Sequence, residues 1–345
     1  MQAHQTVAPA EAPAPETSNE APSLDVERGR ADLRRWLSRL ARVFDLEAVR
    51  RDPLDAAAVV RYYEHNHGAY RRYHSSEGAV HLALNPDGRF DAAGFSGPLR
   101  RIEARWRDGP AGMPRDVLEL AFGQGYNLAF LVPRHPQVRF QGIDLTPVHV
   151  ALAQARLAEF PAERVRLAQG DFHHLPQPDA SIDAAYCIES LCHATDLQRA
   201  LGEVARVLRP GGELILFDGY LPRPLQALQA DEALAVELVA RGLAVAHMQT
   251  VDELLQAARA QGLALVRMQV LEREIMPSLA RLERLTGAVI RWPWFARRAL
   301  ARRPPARSRN VLAGCLMRTT FGMGLMSYRE IVLRRPPWPA AGDAQ

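Results

Sequence analysis

The sequence predicts an α/β protein built on an open, mostly parallel sheet, and three observations support this prediction. Residues 117–127, Val-Leu-Glu-Leu-Ala-Phe-Gly-Gln-Gly-Tyr-Asn, have the pattern of an apolar strand, a tight glycine turn and the start of a helix. Apolar runs then alternate with helical patterns, which is typical of βαβ units. Acidic residues end several of the runs, where the carboxyl ends of parallel strands would share one crevice.

The elements follow from local patterns along the chain. Strands are expected at 117–120, 139–144, 165–170, 182–188, 213–218, 263–270 and 326–333. Helices are expected from residue 127, at 146–160 with Thr146 as N-cap, at 196–207 and at 250–262, where Thr-Val-Asp-Glu is a capping box. Residues 208–212 are expected to form a helix end and a turn. Further helical segments, at about 221–248 and 275–320, would interrupt the alternation.

Four regions are expected along the chain. Residues 1–23 are mostly Ala, Pro, Glu, Thr and Ser without an apolar period, so we predict a disordered tail. Residues 24–112 are predicted to form an N-terminal helical cap or lid. Residues 113–335 would form the core with its two helical insertions, and 336–345 a short tail.

Composition limits the possible classes of protein. The chain has 345 residues, 48% of them hydrophobic, which is ample for a large core. All 43 basic residues are arginine and the net charge is +4, which favours a GC-rich genome over a nucleic-acid partner. Three cysteines without a Cys-x-x-Cys pair predict reduced thiols, no metal site and a cytoplasmic location. The sequence does not indicate the oligomeric state, and a homo-oligomer is one of the states that it allows.

Four motifs in order resemble those of class I S-adenosylmethionine (SAM)-dependent methyltransferases. They are the Gly123-x-Gly125 turn, Asp144 placed 19 residues after Gly125, Asp171 followed by Phe172, and the 208–216 segment. The resemblance implies a Rossmann-like fold with a seven-stranded, mostly parallel sheet, helices on both faces and a helical cap. One position departs from the family pattern, because Ala121 stands where the family has its first glycine.

The resemblance also implies SAM as the cofactor and suggests which residues hold it. Glu119 would hold the amino end through the loop, Asp144 the ribose, and Asp171 with Phe172 the adenine. Negative strand ends suit a ligand that carries a sulfonium cation. The other implied cofactor residues are Ala121, Gly123, Gly125, Leu145 and Cys187.

Two rival classes are weighed against this interpretation. The fingerprint of an NAD-dependent oxidoreductase wants glycine or alanine three residues after Gly125, where this chain has Leu128. A nucleotide-binding protein without catalysis is the other rival. Methylation of nucleic acid is not expected, because the segment after the fourth strand lacks the Pro-Pro-aromatic motif of amino-methylating families.

The segment after the fourth predicted strand indicates the reaction. Ile188-Glu189-Ser190-x-x-His193 resembles the corresponding stretch of sterol and prenyl-diphosphate C-methyltransferases. Glu189 is therefore a candidate general base, with a purely structural acceptor as the alternative. His193 would orient Glu189 or take a proton, or would be an ordinary buried histidine. His173 and His174 are expected at the surface.

The acceptor is expected to be a small lipophilic molecule, with an isoprenoid carbon as the leading interpretation. O-methylation of a quinone or phenol is the alternative. Aromatic side chains would line the acceptor pocket, and arginines at 71–72 or 297–309 would bind a diphosphate. The arginine-rich 290–309 stretch is interpreted either as a peripheral membrane contact or as a solvated helix. The candidate substrate residues are Tyr63, Tyr70, Tyr73 and Trp292.

Overall fold

The structure is a computed structural model and describes residues 26–337. The predicted tail at 1–23 and residues 338–345 lie outside the described part. The strands are β1 (Asp116–Leu120), β2 (Arg139–Asp144), β3 (Val165–Gln169), β4 (Ile182–Ile188), β5 (Leu208–Tyr220), β6 (Ala264–Val270) and β7 (Ser327–Arg334). The helices are α1 (Val26–Ala41), α2 (Leu46–Arg51), α3 (Ala56–Ala69), α4 (Gly97–Asp108), α5 (Tyr126–Arg134), α6 (Pro147–Arg156), α7 (Leu197–Val207), α8 (Ala230–Gly242), α9 (Val251–Ala260), α10 (Glu272–Val289), α11 (Pro293–Leu300) and α12 (Pro305–Gly322).

The seven strands form one sheet in the order β3-β2-β1-β4-β5-β7-β6. Strands β1 to β5 pair in parallel, and β7 runs antiparallel to both of its neighbours, β5 and β6. This confirms the predicted seven-stranded, mostly parallel sheet. The order reverses direction beside β1, so the carboxyl ends of β1 and β4 flank the crevice where such sheets bind ligands.

Both faces of the sheet are covered by helices, as the apolar strands require. Successive residues of β5 point to opposite faces: Leu214 packs in the apolar cluster that contains α7 and α9. Ile215 packs in the cluster that contains α4, α5 and α12. Leu214 and Ile215 are each at most 1% exposed. No helix within residues 26–337 is long and apolar enough to cross a membrane.

A helical layer covers one part of the sheet. Helix α12 lies at its centre and packs against α1, α3, α8 and α10. Helices from the N-terminal region and from both insertions therefore meet in one assembly. A buried, irregular segment at 79–85 runs beneath this layer and is tied to α10, because the Ser278 hydroxyl donates to the Ala83 carbonyl (3.0 Å).

The structure defines three of the predicted segments more closely. The helical 275–320 segment consists of α10, α11 and α12, because Pro293 and Pro305 begin new helices and proline lacks the N–H that continues an old one. Helix α7 ends at Val207, and Leu208 pairs with Ile182 of β4. The register then shifts, so residues 209–212 bulge out, with Gly211 at φ +86°, before the pairing resumes at Glu213. In the 221–248 segment the α-helix is confined to Ala230–Gly242.

Candidate active site

A cleft lies at the carboxyl ends of β1, β2, β3 and β4. Its walls come from the loops that follow these strands and from α3, which reaches over the cleft. Nine residues predicted from the sequence line it: Tyr63, Ala121, Gly123, Asp144, Leu145, Asp171, Phe172, Glu189 and His193. The strand ends therefore converge as the sequence predicted.

The turn after β1 is made by three residues with left-handed backbone. Ala121 and Gly123 both have φ +55°, and Gly125 has φ +75°. Ala121 thus takes the conformation that a glycine would adopt more easily, and its N–H donates to the Ile143 carbonyl (2.7 Å). A Cβ on Gly123 would lie 3.2 Å from a methyl carbon of Val80, inside the cleft.

Gly125 has a different role from Gly123. A Cβ at this position would lie 2.9 Å from the Cβ of Ala153, which belongs to α6. Gly125 therefore allows the turn to pack against α6, and it does not line the cleft.

Asp144 ties the first two strand ends together. Its Oδ2 accepts from the Gly123 N–H and its Oδ1 from the Thr146 N–H, both at 2.8 Å. His149 Nδ1 lies 3.6 Å from Oδ1. Thr146 stands at the N-cap position of α6, as predicted, but its side chain makes no capping hydrogen bond. Each Asp144 oxygen keeps a second lone pair, which suits a ligand with neighbouring hydroxyls.

Asp171 is held by a histidine that the sequence placed at the surface. His173 is 7% exposed, so that prediction is wrong for this residue. Its backbone N–H and its ring Nδ1 both donate to Asp171 Oδ1, at 2.9 and 2.5 Å. Burial acts to raise the pKa of Asp171, but these hydrogen bonds outweigh it and hold the pKa below its usual value. Phe172 packs on the His173 ring at a centroid distance of 4.9 Å.

Glu119 lies beneath the turn and does not line the cleft. Asn127 Nδ2 donates to its Oε1 (2.7 Å) and the Tyr186 hydroxyl donates to its Oε2 (2.9 Å). Burial raises the pKa of Glu119 to about 7. Both carboxyl oxygens of Glu119 are thus hydrogen-bonded to side chains. Glu119 is not placed to contact a ligand in the cleft directly.

Cys187 is also away from the cleft. It is fully buried on β4, with its Sγ 3.0 Å from the Ser190 hydroxyl. Burial raises the pKa of this thiol to about 12, so it stays protonated and unreactive.

Glu189 occupies a strained position directly after β4. Its φ is +51°, which is rare for a residue with a side chain and is concentrated at functional sites. The Leu82 N–H (2.7 Å) and the Tyr328 hydroxyl (2.8 Å) both donate to Oε1. Burial outweighs these two donors and raises the pKa of Glu189 to about 8. Such a carboxyl group can change its protonation state near neutral pH.

His193 contacts Tyr63 rather than Glu189. Its Nδ1 lies 3.2 Å from the Ala244 carbonyl oxygen, which only accepts, so Nδ1 carries the proton. Its Nε2 then accepts from the Tyr63 hydroxyl at 3.0 Å. Burial lowers the pKa of His193 to about 4, and the ring is neutral at pH 7.

Two further cavities adjoin the cleft, and Glu189 and Val80 line all three. The inner cavity is lined by Tyr63 and Tyr70 among others. The long cavity runs between α3, α10, α11 and α12. Tyr70 and the half-exposed Tyr73 line it, whereas Trp292 is 66% exposed and lines none of the three. Glu189 therefore stands where the cleft meets two mainly apolar cavities.

Sequence reasoning missed four groups at this site. They are the Leu82 N–H, Tyr328, His149 and Asp218, the last of which lines the inner cavity. Asp218 ends the predicted fifth strand, and its position could have marked it as a further acid at the sheet edge. A tyrosine within the apolar closing strand was the available signal for Tyr328. No local pattern indicates that Leu82 approaches Glu189.

Comparison with known proteins supports the interpretation of the core. Residues 117–212 match the family model of a methyltransferase domain. A demethylmenaquinone methyltransferase of Deinococcus radiodurans is 36% identical over 132 residues, which are 37% of this chain and 54% of that protein. A sterol 24-C-methyltransferase of Gibberella zeae is 34% identical over 145 residues, 39% of this chain and 37% of that protein. The chain therefore spans about half or less of these relatives' length.

A solved structure extends the likeness of fold over almost the whole chain. The geranyl diphosphate C-methyltransferase of Streptomyces coelicolor matches with a TM-score of 0.56 and 14% identity, covering 91% of this chain and 99% of that one. At this identity the likeness concerns the fold. Residues 117–212 are therefore a methyltransferase domain, the chain has the fold of class I SAM-dependent methyltransferases, and its core is similar in sequence to a sterol C-methyltransferase.

Proposed function

We propose that the protein transfers a methyl group from SAM to a carbon of a small lipophilic acceptor, with an isoprenoid as the leading class. The position of Glu189 carries this proposal, because one titratable carboxyl group joins the cleft to two mainly apolar cavities. Bound SAM supplies an electrophilic methyl group on a positively charged sulfur.

The cleft fits SAM in its shape and in its donor set. The space beside Gly123 would be taken by any side chain, since a Cβ there would lie 3.2 Å from Val80. Asp144 presents carboxylate lone pairs to the ribose hydroxyls, and Phe172 offers a ring face to the adenine. Ala121 and Leu145 complete the wall on that side. Glu119 would act through Asn127 and the turn rather than by direct contact.

The adjoining cavities suit an acceptor with a long apolar part. The long cavity is lined by side chains such as Leu243, Leu282 and Val311, and the inner cavity by Met248 and Phe321 among others. Tyr70 lines both, so its ring borders the region where the two meet. Aromatic faces stabilise positive charge that develops on a carbon framework.

Glu189 would act on the acceptor after methylation. An alkene carbon that takes a methyl group leaves positive charge on its neighbour, and no hydroxyl proton is available to leave. The Glu189 carboxylate stabilises that charge and removes a proton from an adjacent carbon, which restores a neutral double bond. A pKa of about 8 in the free protein would fall when the cationic cofactor binds, because opposite charge favours the carboxylate.

Methylation of a hydroxyl is the second candidate, and one observation favours it. The Tyr63 hydroxyl and His193 Nε2 form a hydrogen-bonded pair that lines both the cleft and the inner cavity. An acceptor hydroxyl that took the place of the Tyr63 hydroxyl in this hydrogen bond would give its proton to the neutral Nε2 of His193. In that reaction Glu189 would have only a structural role.

The deciding experiment supplies methyl-labelled SAM with matched acceptors: isoprenoid diphosphates, isoprenoid alcohols, sterols, quinones and phenols. The proposal expects label on an alkene carbon, located by mass spectrometry and NMR. Glu189→Gln should lower the formation of that product by about 10²–10⁴-fold, while His193→Ala affects it little. Label on oxygen with the opposite ranking of the variants would establish the second candidate. Calorimetry that detects NAD binding but no SAM binding would overturn both.

A further inference from the structure

A strongly basic and aromatic surface surrounds α11. Three large side chains, Trp292, Trp294 and Phe295, are 66%, 78% and 63% exposed. They follow one another around the first turn of an eight-residue helix whose other face, with Ala296 and Leu300, is buried. Large apolar groups concentrated in one place on a surface indicate a binding face rather than chance exposure.

The charge along this part of the chain has one sign. The sequence contains no Asp or Glu between Glu283 and Glu330, while ten arginines fall in that interval. Arg297, Arg298 and Arg302 are exposed on or just after α11, and no ion pair within residues 26–337 involves them. Arg291 lies over the Trp292 ring at 5.2 Å. Such a surface is complementary to an anionic one.

The same helix forms a wall of the long cavity. Ala299 and Leu300 line it from the inner face of α11, and Arg303 lines it just beyond the helix. Leu285 and Val289 of α10 also line it and are themselves 41% and 46% exposed. The cavity that reaches Glu189 therefore borders the aromatic and basic surface.

We propose that this surface, formed by Leu285, Val289, Trp292, Trp294, Phe295 and the neighbouring arginines, docks on an anionic phospholipid bilayer. Tryptophan and phenylalanine enter the headgroup region with their apolar rings, and arginines bind the lipid phosphates. The docking follows from the surface alone. That the acceptor passes from the bilayer into the long cavity rests in addition on the proposed function.

The test is flotation of the full chain with vesicles of phosphatidylcholine alone or mixed with phosphatidylglycerol. Binding is expected to the mixed vesicles and to weaken as salt is raised. The combined change Trp292→Ala, Trp294→Ala and Phe295→Ala should lower vesicle affinity by about 10²-fold. Arg297→Gln and Arg298→Gln should each lower it about fivefold.

Met113→Ala is the matched control, because Met113 is 50% exposed just before β1, at the opposite edge of the sheet from the cleft. Its vesicle affinity should equal that of the wild type, and circular dichroism should show every variant folded. The proposal would be overturned if the triple aromatic variant bound mixed vesicles as tightly as the wild type. It would also be overturned if the wild type did not bind mixed vesicles. If the aromatic variant instead converts a dimer to a monomer in light scattering, the surface joins two copies and the proposal is wrong. Vesicle binding without methyl transfer would leave the docking intact and count only against the proposed reaction.

Discussion

Glu189 combines three properties that structural acids seldom share. Its backbone is left-handed, its carboxyl group borders three cavities, and burial places its pKa at about 8. A residue that only satisfied the Leu82 N–H and the Tyr328 hydroxyl would need neither the strain nor the cavities. The strain is sustained by these two hydrogen bonds from distant segments, which fix one oxygen and so orient the other.

Glu189→Gln is expected to lower kcat by about 10²–10⁴-fold on an alkene acceptor, because the amide has the same shape but neither the charge nor the basicity. SAM affinity, measured by calorimetry, should change much less. Tyr328→Phe is the companion variant, since it removes one donor from Oε1 and keeps the ring. It should shift the rising limb of the pH–rate profile to higher pH, because a lost donor raises the pKa of the carboxyl group further. Near-full turnover by Glu189→Gln would contradict this assignment.

Asp144→Ala is expected to weaken SAM binding by roughly 2–4 kcal/mol, since hydrogen bonds to a charged acceptor are lost. The structure adds a second reason, because the carboxylate also fixes the Gly123 N–H and thereby the turn. Asp144→Asn keeps one acceptor and should lose less. Calorimetry with SAM and with its neutral product would measure both variants, and wild-type affinity in Asp144→Ala would remove the residue from the cofactor site.

Site residues positioned by a single strand end could be predicted from the sequence. Contacts between segments that lie far apart in the chain could not. Asp144, Asp171 and Glu189 lie at or just after the carboxyl ends of strands, so the parallel sheet alone brings them together. Leu82 and Tyr328 reach Glu189 from segments 107 and 139 residues away in the chain. Their approach depends on how the cap and β7 pack, which no local period encodes.

The bounds of strands and helices could be predicted where the apolar periodicity and the turn or capping residues indicated the same boundary. Strands β2 and β4 have the predicted bounds, and the Thr250 capping box is formed. For the insertion that carries α10 to α12, the sequence predicted helical structure over 275–320 but not the positions, Pro293 and Pro305, at which new helices begin. Those breaks turn α11 outward, and its exposed aromatic face could not have been assigned from the period alone.

Helix α3, from the N-terminal region, forms one wall of the cleft. Ala56, Val59 and Tyr63 line the cleft from this helix, and Tyr63 also bonds His193. We therefore expect hydrogen exchange in residues 56–84 to slow when a SAM analogue and an acceptor are both bound, because closure excludes water. Helix α9 is the internal control, since none of its residues lines the three cavities. Equal exchange in the free and ternary states would count against a lid.

Within residues 26–337, acids gather at the carboxyl ends of the parallel strands, and several of them are buried without a basic partner. Burial raises the pKa of Glu119 to about 7, of Glu189 to about 8 and of Asp218 to about 6. At the opposite edge, Glu213 is paired with Arg105 and Arg334, and these partners hold its pKa below the usual value although burial opposes them. Glu213 is therefore ion-paired at one end of the strands. Glu119, Glu189 and Asp218 lie without a basic partner at the other end, where a cationic ligand would bind.

This arrangement sets the sign of the stability change with pH. A carboxyl group whose pKa is raised on folding binds more protons in the folded state than in the unfolded state. The stability contributed by the three acids is therefore complete below about pH 4 and is lost as pH rises through 6 to 8. Glu189→Gln removes one of these losses, so its melting temperature should match the wild type near pH 4 and exceed it at pH 9.

A cationic cofactor should recover part of that loss. The sulfonium of SAM favours the Glu189 carboxylate, whereas the sulfur of the demethylated product is neutral, so SAM should raise the melting temperature more than the product does. This difference should grow between pH 6 and 9 in the wild type and stay flat in Glu189→Gln, with a change of about 1–2 °C for each kcal/mol in a chain of this length. Differential scanning fluorimetry with both ligands at saturating concentration would measure it. Parallel shifts for the two ligands at every pH would show that Glu189 does not sense the charge of the cofactor.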